Sequence, residues 1–481
     1  MGIITKAAAQ MSGCFLVGGN METLFVRINK IVWGVPTLFL ILGIGVYLSL
    51  QSGFAQLQLM PRALRRFVCS LKNSNNDDGI SGYRALCTAL AATVGVGNIV
   101  GVAGAIALGG PGTVFWMWVC ALLGMITKLA EVVLSVFYRH KNRKGEYVGG
   151  PMYAIRCGMG KKWHWLATVY CLFGVIASFG VGNATQINAV IGGIDSVVSA
   201  FGGFISPALR IILGILFAVL IISILLGGAK RIGKAAENLI PAVSLLYILL
   251  CIVVLLFRFG EIPGSLRMII VGAFKPQAIT GGMVGSILVT LRIGASRGVF
   301  TNEAGMGTAA IAHASADVNH PVEQGLMGIV EVFVDTILIC TLTALVILTS
   351  GISIDYGTDT GIQLAIQAYS EVLGDWVAVP LAIAVSCFAL GTILGWSLYG
   401  LRCAEFLFGE RVYRKFVYIQ GVVIVISSVL GTGIIWTLAE IVNGLMVIPN
   451  LIALEMLSPR IIHLINTYKR EPDNRIRLSG Y

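Results

Sequence analysis

The sequence has few charged residues: Asp, Glu, Lys and Arg make up only 12% of its 481 positions, whereas 57% are hydrophobic. Soluble globular proteins typically have about 25% charged and about 45–50% apolar residues. The mean hydropathy of +0.87 agrees with this departure. These values exclude a soluble domain and indicate a multi-pass membrane protein. The net charge of +11 is then a matter of which membrane side holds the bases, not a sign of nucleic-acid binding.

The sequence also lacks the motifs of catalysis and of structural metal binding. Its ten cysteines occur singly, without a Cys-x-x-Cys pair, and most lie inside apolar runs, which is typical of small buried side chains. The five His residues are scattered, and there is neither a nucleophile elbow nor a phosphate loop. We therefore expect no enzymatic activity.

Apolar runs of about 20 residues, each long enough to span about 30 Å of hydrocarbon as a helix, recur along the chain. They predict an all-α membrane protein with about eleven transmembrane helices. The predicted segments 1 to 11 cover residues 32–50, 83–108, 113–138, 163–191, 208–227, 238–257, 281–313, 325–349, 377–401, 416–435 and 437–457.

The basic residues predict the orientation. Most Lys and Arg lie in loops on one side of this arrangement, whereas the loop 350–376 on the other side has four acidic residues and no basic one. By the positive-inside rule the basic side is cytoplasmic. We expect a plasma-membrane protein, in a bacterium the inner membrane, with the N-terminus outside and the C-terminus inside.

Two segments are interrupted by residues that disfavour a helix. Segment 2 contains Gly95 and Gly97, and segment 7 contains Gly294, Gly298 and a polar run, 301–303; glycine costs a helix about 1 kcal/mol. Each opens a group of five segments, and the two run in opposite directions. This pattern is typical of an inverted repeat whose substrate lies at the midplane between discontinuous helices.

The chain is therefore divided as follows. We expect an N-terminal extension (1–30), one transporter domain (31–458) and a cytoplasmic tail (459–481). Within the domain, segment 1 is an added helix, repeat 1 covers about 83–257 and repeat 2 about 281–457.

The break in segment 2 offers partial charges of both signs. The half-helix that begins near Gly97 and Asn98 presents N–H groups suited to a carboxylate, and the one that ends near Thr93 and Val94 presents carbonyls suited to Na⁺ or an ammonium group. A zwitterion complements both. The alternative is that Gly97 and Gly101 serve only close helix packing.

Charged residues inside the apolar segments are further candidates for functional residues. Placing one charged side chain at the bilayer centre costs about 2.5 to 3.5 kcal/mol, so these residues are not expected to face lipid. Arg297 and Glu303 are expected to pair across the unwound part of segment 7, the alternative being substrate contact. Asp335 is either a coupling or gating carboxylate or the partner of a segment 7 arginine. Lys128 and Glu131, three residues apart, are read as a structural pair on a helix surface near the inner interface.

Segments 9 and 4 supply further polar and aromatic candidates. Ala389, Thr392 and Trp396 share one helix face, so a carbonyl and a hydroxyl could complete an oxygen shell for Na⁺ with segment 2, and Trp396 could cap the cavity; ordinary packing is the alternative. For Gln186 and Asn183 of segment 4 the same two alternatives remain, a place in the site or ordinary packing.

Four blocks of residues carry a family resemblance. Residues 88–101 (TALAATVGVGNIVG), 109–118 (GGPGTVFWMW), 149–153 (GGPMY) and 297–307 (RGVFTNEAGMG) closely resemble the alanine or glycine:cation symporter family. The resemblance extends from about residue 21 to the end of segment 11. It implies a fold like that of the bacterial leucine transporter, with Na⁺-coupled or, less often, H⁺-coupled uptake of alanine or glycine.

The resemblance also implies site residues and partners. The implied substrate contacts are Thr93, Gly95, Val96, Gly97, Asn98, Gln186, Phe300 and Trp396, and the Na⁺ candidates are Ala91, Val94, Ala389 and Thr392. The partners are then a small neutral amino acid, the coupling ion Na⁺ and the lipid bilayer, with no nucleic acid and no obligate protein partner. The chain departs from the family at Val96, where Thr is common, and at Gly391, where a Ser precedes Thr.

Several functions stay open at this point. The first is Na⁺-coupled transport of a small neutral amino acid, with alanine, glycine and serine as candidates. The second is a channel or a transport-like sensor that binds without alternating access. The third is H⁺ coupling, which Asp335 and the missing hydroxyls at Val96 and Gly391 suggest.

Overall fold

The computed structural model describes residues 24–470, except 26, 30, 73–79, 201, 285, 359–360 and 430–431. Most of the predicted N-terminal extension and the end of the predicted tail, 471–481, lie outside the described residues. Within them the chain is almost entirely helical, with one antiparallel hairpin of two short strands, β1 (His140–Lys141) and β2 (Tyr147–Val148).

The first half of the chain contains the helices α1 to α11. They are α1 (Val35–Gln51), α2 (Ala55–Gln58), α3 (Met60–Lys72), α4 (Gly82–Thr93), α5 (Val100–Gly109), α6 (Gly112–Phe137), α7 (Pro151–Gly158), α8 (His164–Ala177), α9 (Thr185–Ala200), α10 (Pro207–Leu225) and α11 (Gly228–Phe257). Short 3₁₀ turns cover Val96–Asn98 and Lys161–Trp163, and a π-helical stretch, Ser178–Ala184, joins α8 to α9.

The second half contains α12 to α22. They are α12 (Ile262–Phe274), α13 (Pro276–Thr280), α14 (Ile287–Asn302), α15 (Thr308–His313), α16 (Pro321–Val332), α17 (Thr341–Thr349), α18 (Gly361–Leu373), α19 (Ala378–Phe408), α20 (Tyr413–Ser427), α21 (Thr432–Met456) and α22 (Ser458–Arg470). The 3₁₀ turns are Phe259–Glu261, Asp375–Val377 and Glu410–Val412, and a π-helical stretch, Phe333–Cys340, joins α16 to α17.

Each predicted segment coincides with one or more of these helices. Among the described residues, six helical stretches are long and apolar enough to cross a membrane, and up to eight if each of two bent pairs counts as one span. The all-α membrane architecture agrees with the prediction, and the number of eleven crossings stays a prediction.

Local capping signals explain several helix ends. The Ser81 hydroxyl accepts a hydrogen bond from the Arg84 amide at the start of α4, and Ser206 does the same for Leu209 at the start of α10. The helix α5 ends at Gly109 and is capped by Gly110, whose φ of 77° is positive, as glycine readily permits. A Pro follows directly, and so the chain turns between α5 and α6.

Some predicted boundaries are wrong. The residues 262–274 and 361–373, predicted as loop, form α12 and α18. Each of these helices has 13 residues, fewer than the roughly 20 that cross a bilayer. The helix α11 begins ten residues before the predicted segment 6, because three basic residues of the predicted loop continue the helix (Lys230, Arg231, Lys234). The helix α20 ends at Ser427 and α21 begins at Thr432, several residues before the predicted boundary.

The helix α6 lies at the centre of the bundle and packs against α14 and α16. Gly294 and Gly298 of α14, predicted to interrupt segment 7, lie inside a continuous helix. A Cβ at Gly294 would lie 2.5 Å from the Thr113 carbonyl oxygen, and one at Gly298 would lie 3.2 Å from Cβ of Cys120. These two glycines therefore let α14 approach α6 closely, and the break comes after them.

The β hairpin joins the ends of several helices on the predicted cytoplasmic side. Arg402 of α19 donates hydrogen bonds to Glu146 at 2.8 Å and to Glu405 at 2.7 Å. Arg139 stacks 3.9 Å from the centre of the Tyr147 ring and also donates to the carbonyl oxygen of Val318 at 3.0 Å. The hairpin thus contacts both the end of α19 and the connection between α15 and α16.

Candidate functional site

The first break lies between α4 and α5, at residues 94–98. The two halves of the helix are bent by 58°. Gly95 is extended, and its N–H donates to the Asn98 side-chain oxygen at 2.8 Å rather than to the Ala91 carbonyl, its partner in a continuous helix. The break predicted in segment 2 is present, and it leaves the Ala91 carbonyl without its helical donor.

The second break lies between α14 and α15, at residues 303–307. Glu303 has the left-handed backbone φ of 54°, uncommon outside glycine, and Gly305 and Gly307 have φ values of 94° and 74°. Glu131 of α6 accepts hydrogen bonds from the N–H groups of Gly305 at 2.8 Å and Gly307 at 3.1 Å. Asn450 donates to the same carboxylate oxygen at 2.6 Å.

The first break faces the end of α14, directly before the second break. A Cβ placed on Gly97 would lie 3.5 Å from Cγ2 of Thr301 and 3.9 Å from the Phe300 ring. A Cβ on Gly101, in contrast, would have no atom within 4 Å. The close approach at Gly97 is therefore toward segment 7, and Gly101 shows no such packing contact.

A chain of hydrogen bonds connects the two breaks through the π-helical stretch after α16. The Asn98 amide donates to the Asp335 carboxylate at 2.7 Å, and the Thr336 hydroxyl donates to the other oxygen of Asp335 at 2.8 Å. The Asn302 amide then donates to Thr336 at 3.1 Å, and the Asn302 side-chain oxygen accepts from the Ala304 N–H. All four side chains are buried.

Two predicted Na⁺ candidates of segment 9 lie beside the first break. The Thr392 hydroxyl oxygen is 2.6 Å from the position that a Cβ on Gly95 would take, and it donates to the Phe388 carbonyl at 3.1 Å. Ala389 is buried one turn before Thr392.

The helices α19 and α4 approach each other closely at this point. A Cβ on Gly391 would lie 3.4 Å from the Ala91 carbonyl oxygen, so α19 and α4 bring hydroxyl and carbonyl oxygens together. Val94, also buried, ends α4 at this point.

Trp396 lies one turn farther along α19, and Gln186 lies in the first turn of α9. A Cβ on Gly182 of the π-helical stretch would lie 2.5 Å from Cβ of Trp396, which is buried. Gln186 follows this stretch, and its side-chain nitrogen donates to the Val181 carbonyl at 3.1 Å. Within the part of the chain that the structure describes, the Gln186 side-chain oxygen and both polar atoms of Asn183 have no hydrogen-bond partner.

The expected ion pair between Arg297 and Glu303 is not formed. Arg297 pairs with Glu440 of α21 at 2.9 Å, and Glu303 accepts from the Thr308 hydroxyl at 2.5 Å. Six helical positions separate the two predicted partners by about 240° around the axis, so their side chains leave the helix in different directions.

Two further expected charge pairs are not formed. Of the two alternatives for Asp335, the arginine partner is wrong, since within the described residues Asp335 forms no ion pair and is bound by Asn98 and Thr336; a coupling or gating role stays a prediction. Lys128 is fully buried and lies 3.4 Å from Glu331, while Glu131 binds the second break. Helical spacing alone places Lys128 and Glu131 on one face and does not say that α14 and α16 cover that face.

Several residues that shape the site had no place in the predicted site, and Glu131 was expected only to pair with Lys128. Glu131 and Asn450 hold the second break, and Asn302 and Thr336 connect it to Asp335. The available signal was a polar or charged side chain inside an apolar segment, which is a functional-site candidate by default.

Comparisons with known proteins identify the family of the chain. The family model described as the sodium:alanine symporter family matches residues 19–478. The sodium/alanine symporter AgcS of Methanococcus maripaludis is 39% identical over 446 residues, which are 91% of this chain and 95% of AgcS. The probable sodium/glutamine symporter GlnT of Bacillus subtilis is 36% identical, over 92% of this chain and 90% of its own length.

The solved structures show the fold. The transporter MhsT in complex with L-phenylalanine matches with a TM-score of 0.57 and 16% identity, over 82% of this chain and 99% of MhsT. A nucleobase-cation-symport-1 family transporter in a closed conformation matches with a TM-score of 0.52 and 12% identity, over 85% and 83% of the two chains. The predicted fold class is confirmed, and the protein is a multi-pass membrane transporter of the symporter type. On these matches and its own paired broken helices, the chain belongs to the sodium:alanine symporter family.

Proposed function

We propose that the protein couples the entry of Na⁺ to the uptake of a small neutral amino acid, alanine or glycine, by alternating access. The observation that carries the proposal is the approach of the first break to the end of α14, where Gly97 faces Phe300 and Thr301. The Asn98–Asp335–Thr336–Asn302 chain of hydrogen bonds then connects this break to the second one. Midplane sites between discontinuous helices are how inverted-repeat transporters hold a substrate and its ion.

The amino acid is proposed to bind at the first break. The N–H groups at the start of its outer half favour the substrate carboxylate, and Gly97 leaves room for that group to approach the backbone. Phe300 and Trp396 form the aromatic walls, and the free side-chain oxygen of Gln186 is available to the ammonium group. Because the aromatic walls are large, a small side chain fits best.

Na⁺ is proposed to bind between α4 and α19. The Thr392 hydroxyl and the carbonyls near Ala91, Val94 and Ala389 are hard oxygen donors of the kind that Na⁺ prefers. The bend at Gly95 supports this assignment because it frees the Ala91 carbonyl from helix hydrogen bonding. Thr93 and Val96, buried on either side of the bend, are proposed to contribute backbone groups to the amino acid.

The repeats and the orientation complete the proposal. Repeat 1 (about 83–257) and repeat 2 (about 281–457) are proposed to move against each other around this site. The N-terminus is proposed to lie outside and the C-terminus in the cytoplasm of a plasma membrane. The basic loops that support this orientation include the hairpin region, which the structure places at one end of α6.

The test is uptake of labelled alanine by reconstituted protein. We expect accumulation driven by an inward Na⁺ gradient, competition by glycine, and weaker competition by serine and by the larger amino acid glutamine. Protein without any Na⁺-driven uptake would contradict the proposal. Uptake that persists without Na⁺ and collapses with a protonophore would replace Na⁺ by H⁺ as the coupling ion.

The assay also separates a carrier from a sensor or a channel. Labelled alanine that binds to detergent-solubilised protein without accumulating in vesicles would favour a sensor, and single-channel currents would favour a channel. A Thr392→Val variant keeps the shape of the side chain and removes the hydroxyl. We expect it to raise the Na⁺ concentration needed for half-maximal uptake, with little change in the alanine requirement at saturating Na⁺.

A further inference from the structure

A second group of charged side chains lies deeper in the bundle and is used by none of the steps above. Lys128 and Glu131 of α6, Glu303 of the second break, His313 of α15 and Glu331 of α16 are each at most 3% exposed. We name these five residues the buried charge cluster. Ionisable side chains inside a membrane segment are expensive and indicate function by default.

The contacts within the cluster run from the second break towards one end of α4. Lys128 lies 3.4 Å from Glu331, whose other carboxylate oxygen is 2.9 Å from Nε2 of His313. The opposite nitrogen of His313 is 2.7 Å from the Gln324 amide, which also donates to the Gly82 carbonyl at 3.1 Å. Gly82 begins α4 at the predicted cytoplasmic end.

The charges of the cluster do not balance when every group has its usual state at neutral pH. One ammonium stands against three carboxylates, with the imidazole of His313 counted as neutral. A buried net charge of −2 is far too costly to persist in a dry interior. Electroneutrality therefore requires two additional protons on the cluster.

An unpaired atom shows where such a proton can reside. Among the described residues, Oε2 of Glu131 is buried without a hydrogen-bond partner, whereas Oε1 of Glu331 faces the Lys128 ammonium at 3.4 Å. The described residues contain no group of three His, Cys, Asp or Glu placed to hold a metal ion. The proton is thus the cation that the cluster can accept.

The other titratable groups nearby do not supply the missing charge. Asp335 follows Glu331 by one helical turn and is bound by Asn98 and Thr336. The remaining neighbours are the buried phenols of Tyr170 and Tyr399, and a phenol is ordinarily uncharged at physiological pH.

We propose that the buried charge cluster is a proton-binding site that is closed while the second break is docked on Glu131 and exchanges protons with the cytoplasmic side when the break moves away. The link is structural, because Glu131 binds the N–H groups of Gly305 and Gly307 with one oxygen and Glu303 is itself part of the break. Undocking admits water, the carboxylates ionise, and protons leave. The docked state therefore binds more protons, so acid on the cytoplasmic side favours docking.

Infrared spectroscopy of the purified protein tests the binding site without relying on transport. Protonated carboxylic acids have a carbonyl stretch that ionised carboxylates and glutamine side chains lack. Since neutrality fixes the proton count, replacing any one of the three glutamates removes one protonated acid. We expect Glu131→Gln, Glu303→Gln and Glu331→Gln each to lose the same share of this band at neutral pH.

The matched control is Glu323→Gln, which removes a carboxylate from the same helix as Glu331 but from a pair with Arg66 outside the cluster. Its band should equal that of the wild type. A band that stays unchanged in all three cluster variants would show that the cluster is fully ionised and would overturn the proposal. Because glutamine keeps the shape and accepts the Thr308 hydrogen bond, Glu303→Gln should retain the fold, which a thermal melt verifies.

Transport in sided vesicles tests the exchange of protons. Acidifying the compartment that faces Gly82 by one pH unit should slow alanine exchange, by up to about tenfold for each proton released on undocking. Acid in the opposite compartment should have no such effect, and Glu303→Gln should weaken the response. An equal response in Glu303→Gln and Glu323→Gln would refute the coupling between proton binding and the break.

Discussion

Gly97 is the residue at which side-chain size is expected to decide transport. A methyl group there would make ordinary contacts with Thr301 and Phe300, so Gly97→Ala should insert and fold but lose part of its uptake. Gly97→Leu should abolish uptake while the protein remains in the membrane, because the side chain fills the space for the substrate carboxylate. Uptake of labelled alanine and a membrane-fraction blot measure the two effects.

Gly101 provides the control for this prediction. It lies one helical turn further along, and a Cβ there would touch nothing within 4 Å. Gly101→Ala should therefore transport like the wild type, with a slightly more stable helix. Normal uptake by Gly97→Leu would refute the assignment of the first break as the substrate site.

Asn98 should matter more than any single side chain of the first break. Its side-chain oxygen accepts from the Gly95 N–H, and its side-chain nitrogen donates to Oδ1 of Asp335. Removing both leaves the buried Gly95 N–H and this Asp335 oxygen without these partners, at a cost of about 1–3 kcal/mol. We expect Asn98→Ala to lower uptake by about tenfold or more and to lower the melting temperature. Asn188→Ala, which removes one half-buried bond to the Ala184 carbonyl, should change both far less; equal losses in the two variants would contradict a special role for Asn98.

For single residues, the sequence predicts which apolar segments contain polar side chains but not which of these side chains contact each other. The glycines at 95 and 97 reveal the first break because glycine has a known cost in a helix. The partners of Arg297, Lys128 and Asp335 depend on which distant helices cover them. Such contacts join residues more than 100 positions apart, as with Arg297 and Glu440, and no local pattern encodes them.

The hairpin of β1 and β2 is an element whose attachment depends on charge. Burial opposes the ionised form of Glu146, but the hydrogen bond and charge of Arg402 outweigh it and hold the pKa of Glu146 below its usual range. A depressed pKa means that the ion pair stabilises the hairpin above the ordinary pKa of Glu, about 4.3, and loses that contribution as the pH falls further.

Replacing this carboxylate should loosen the hairpin at neutral pH. Glu146→Gln removes the charge of a partly exposed pair that solvent screens, so we expect a loss of about 0.5–1 kcal/mol. Hydrogen exchange of residues 140–148, corrected for intrinsic rates, should accelerate about two- to fivefold at pH 7, with less change near pH 4. Glu261→Gln, in an exposed turn, is the control, and equal protection in Glu146→Gln and wild type would contradict the role of the pair.

The sequence predicts those helices whose formation depends on hydrophobicity alone. Long apolar runs become helices because a backbone in lipid must satisfy its own hydrogen bonds. The short helices α12 and α18 and the two π-helical stretches escape this rule. A π-helical stretch differs from an α-helix by a shifted hydrogen-bond register and not by composition, so its position at Phe333–Cys340, beside the first break, follows from the assembled bundle.

The orientation of the whole molecule can be tested with its own cysteines. Among the described residues Cys69 and Cys157 are exposed. Both lie in predicted loops whose basic residues indicate the cytoplasmic side. In a Cys14→Ser background, which removes the cysteine of the predicted outer extension, a membrane-impermeant maleimide should label inverted vesicles and leave intact cells unlabelled. Ser353→Cys, exposed in the predicted outer loop, should show the opposite behaviour when Cys69 and Cys157 are also replaced by Ser. Labelling of Cys69 or Cys157 in intact cells would reverse the assigned topology.

For the whole molecule, pattern and family together predict the fold class, and the comparisons confirm it. The pattern of two broken segments with opposite directions predicts an inverted repeat because breaks in lipid need a cavity or a ligand. What the pattern leaves undetermined is the choice of ion, since Val96 and Gly391 remove hydroxyls and the remaining donors are mostly backbone carbonyls, which every residue has.

The bond between Asn98 and Asp335 has a consequence for biosynthesis. The two residues are 237 positions apart in the chain, and a ribosome that adds about 5 to 20 residues per second needs roughly 10 to 50 s to make the interval. During that time the first half has already left the ribosome while the partner of its bent helix does not yet exist. Lipid cannot satisfy the freed backbone groups, so the nascent half must keep them in water or against the insertion machinery until the second half arrives.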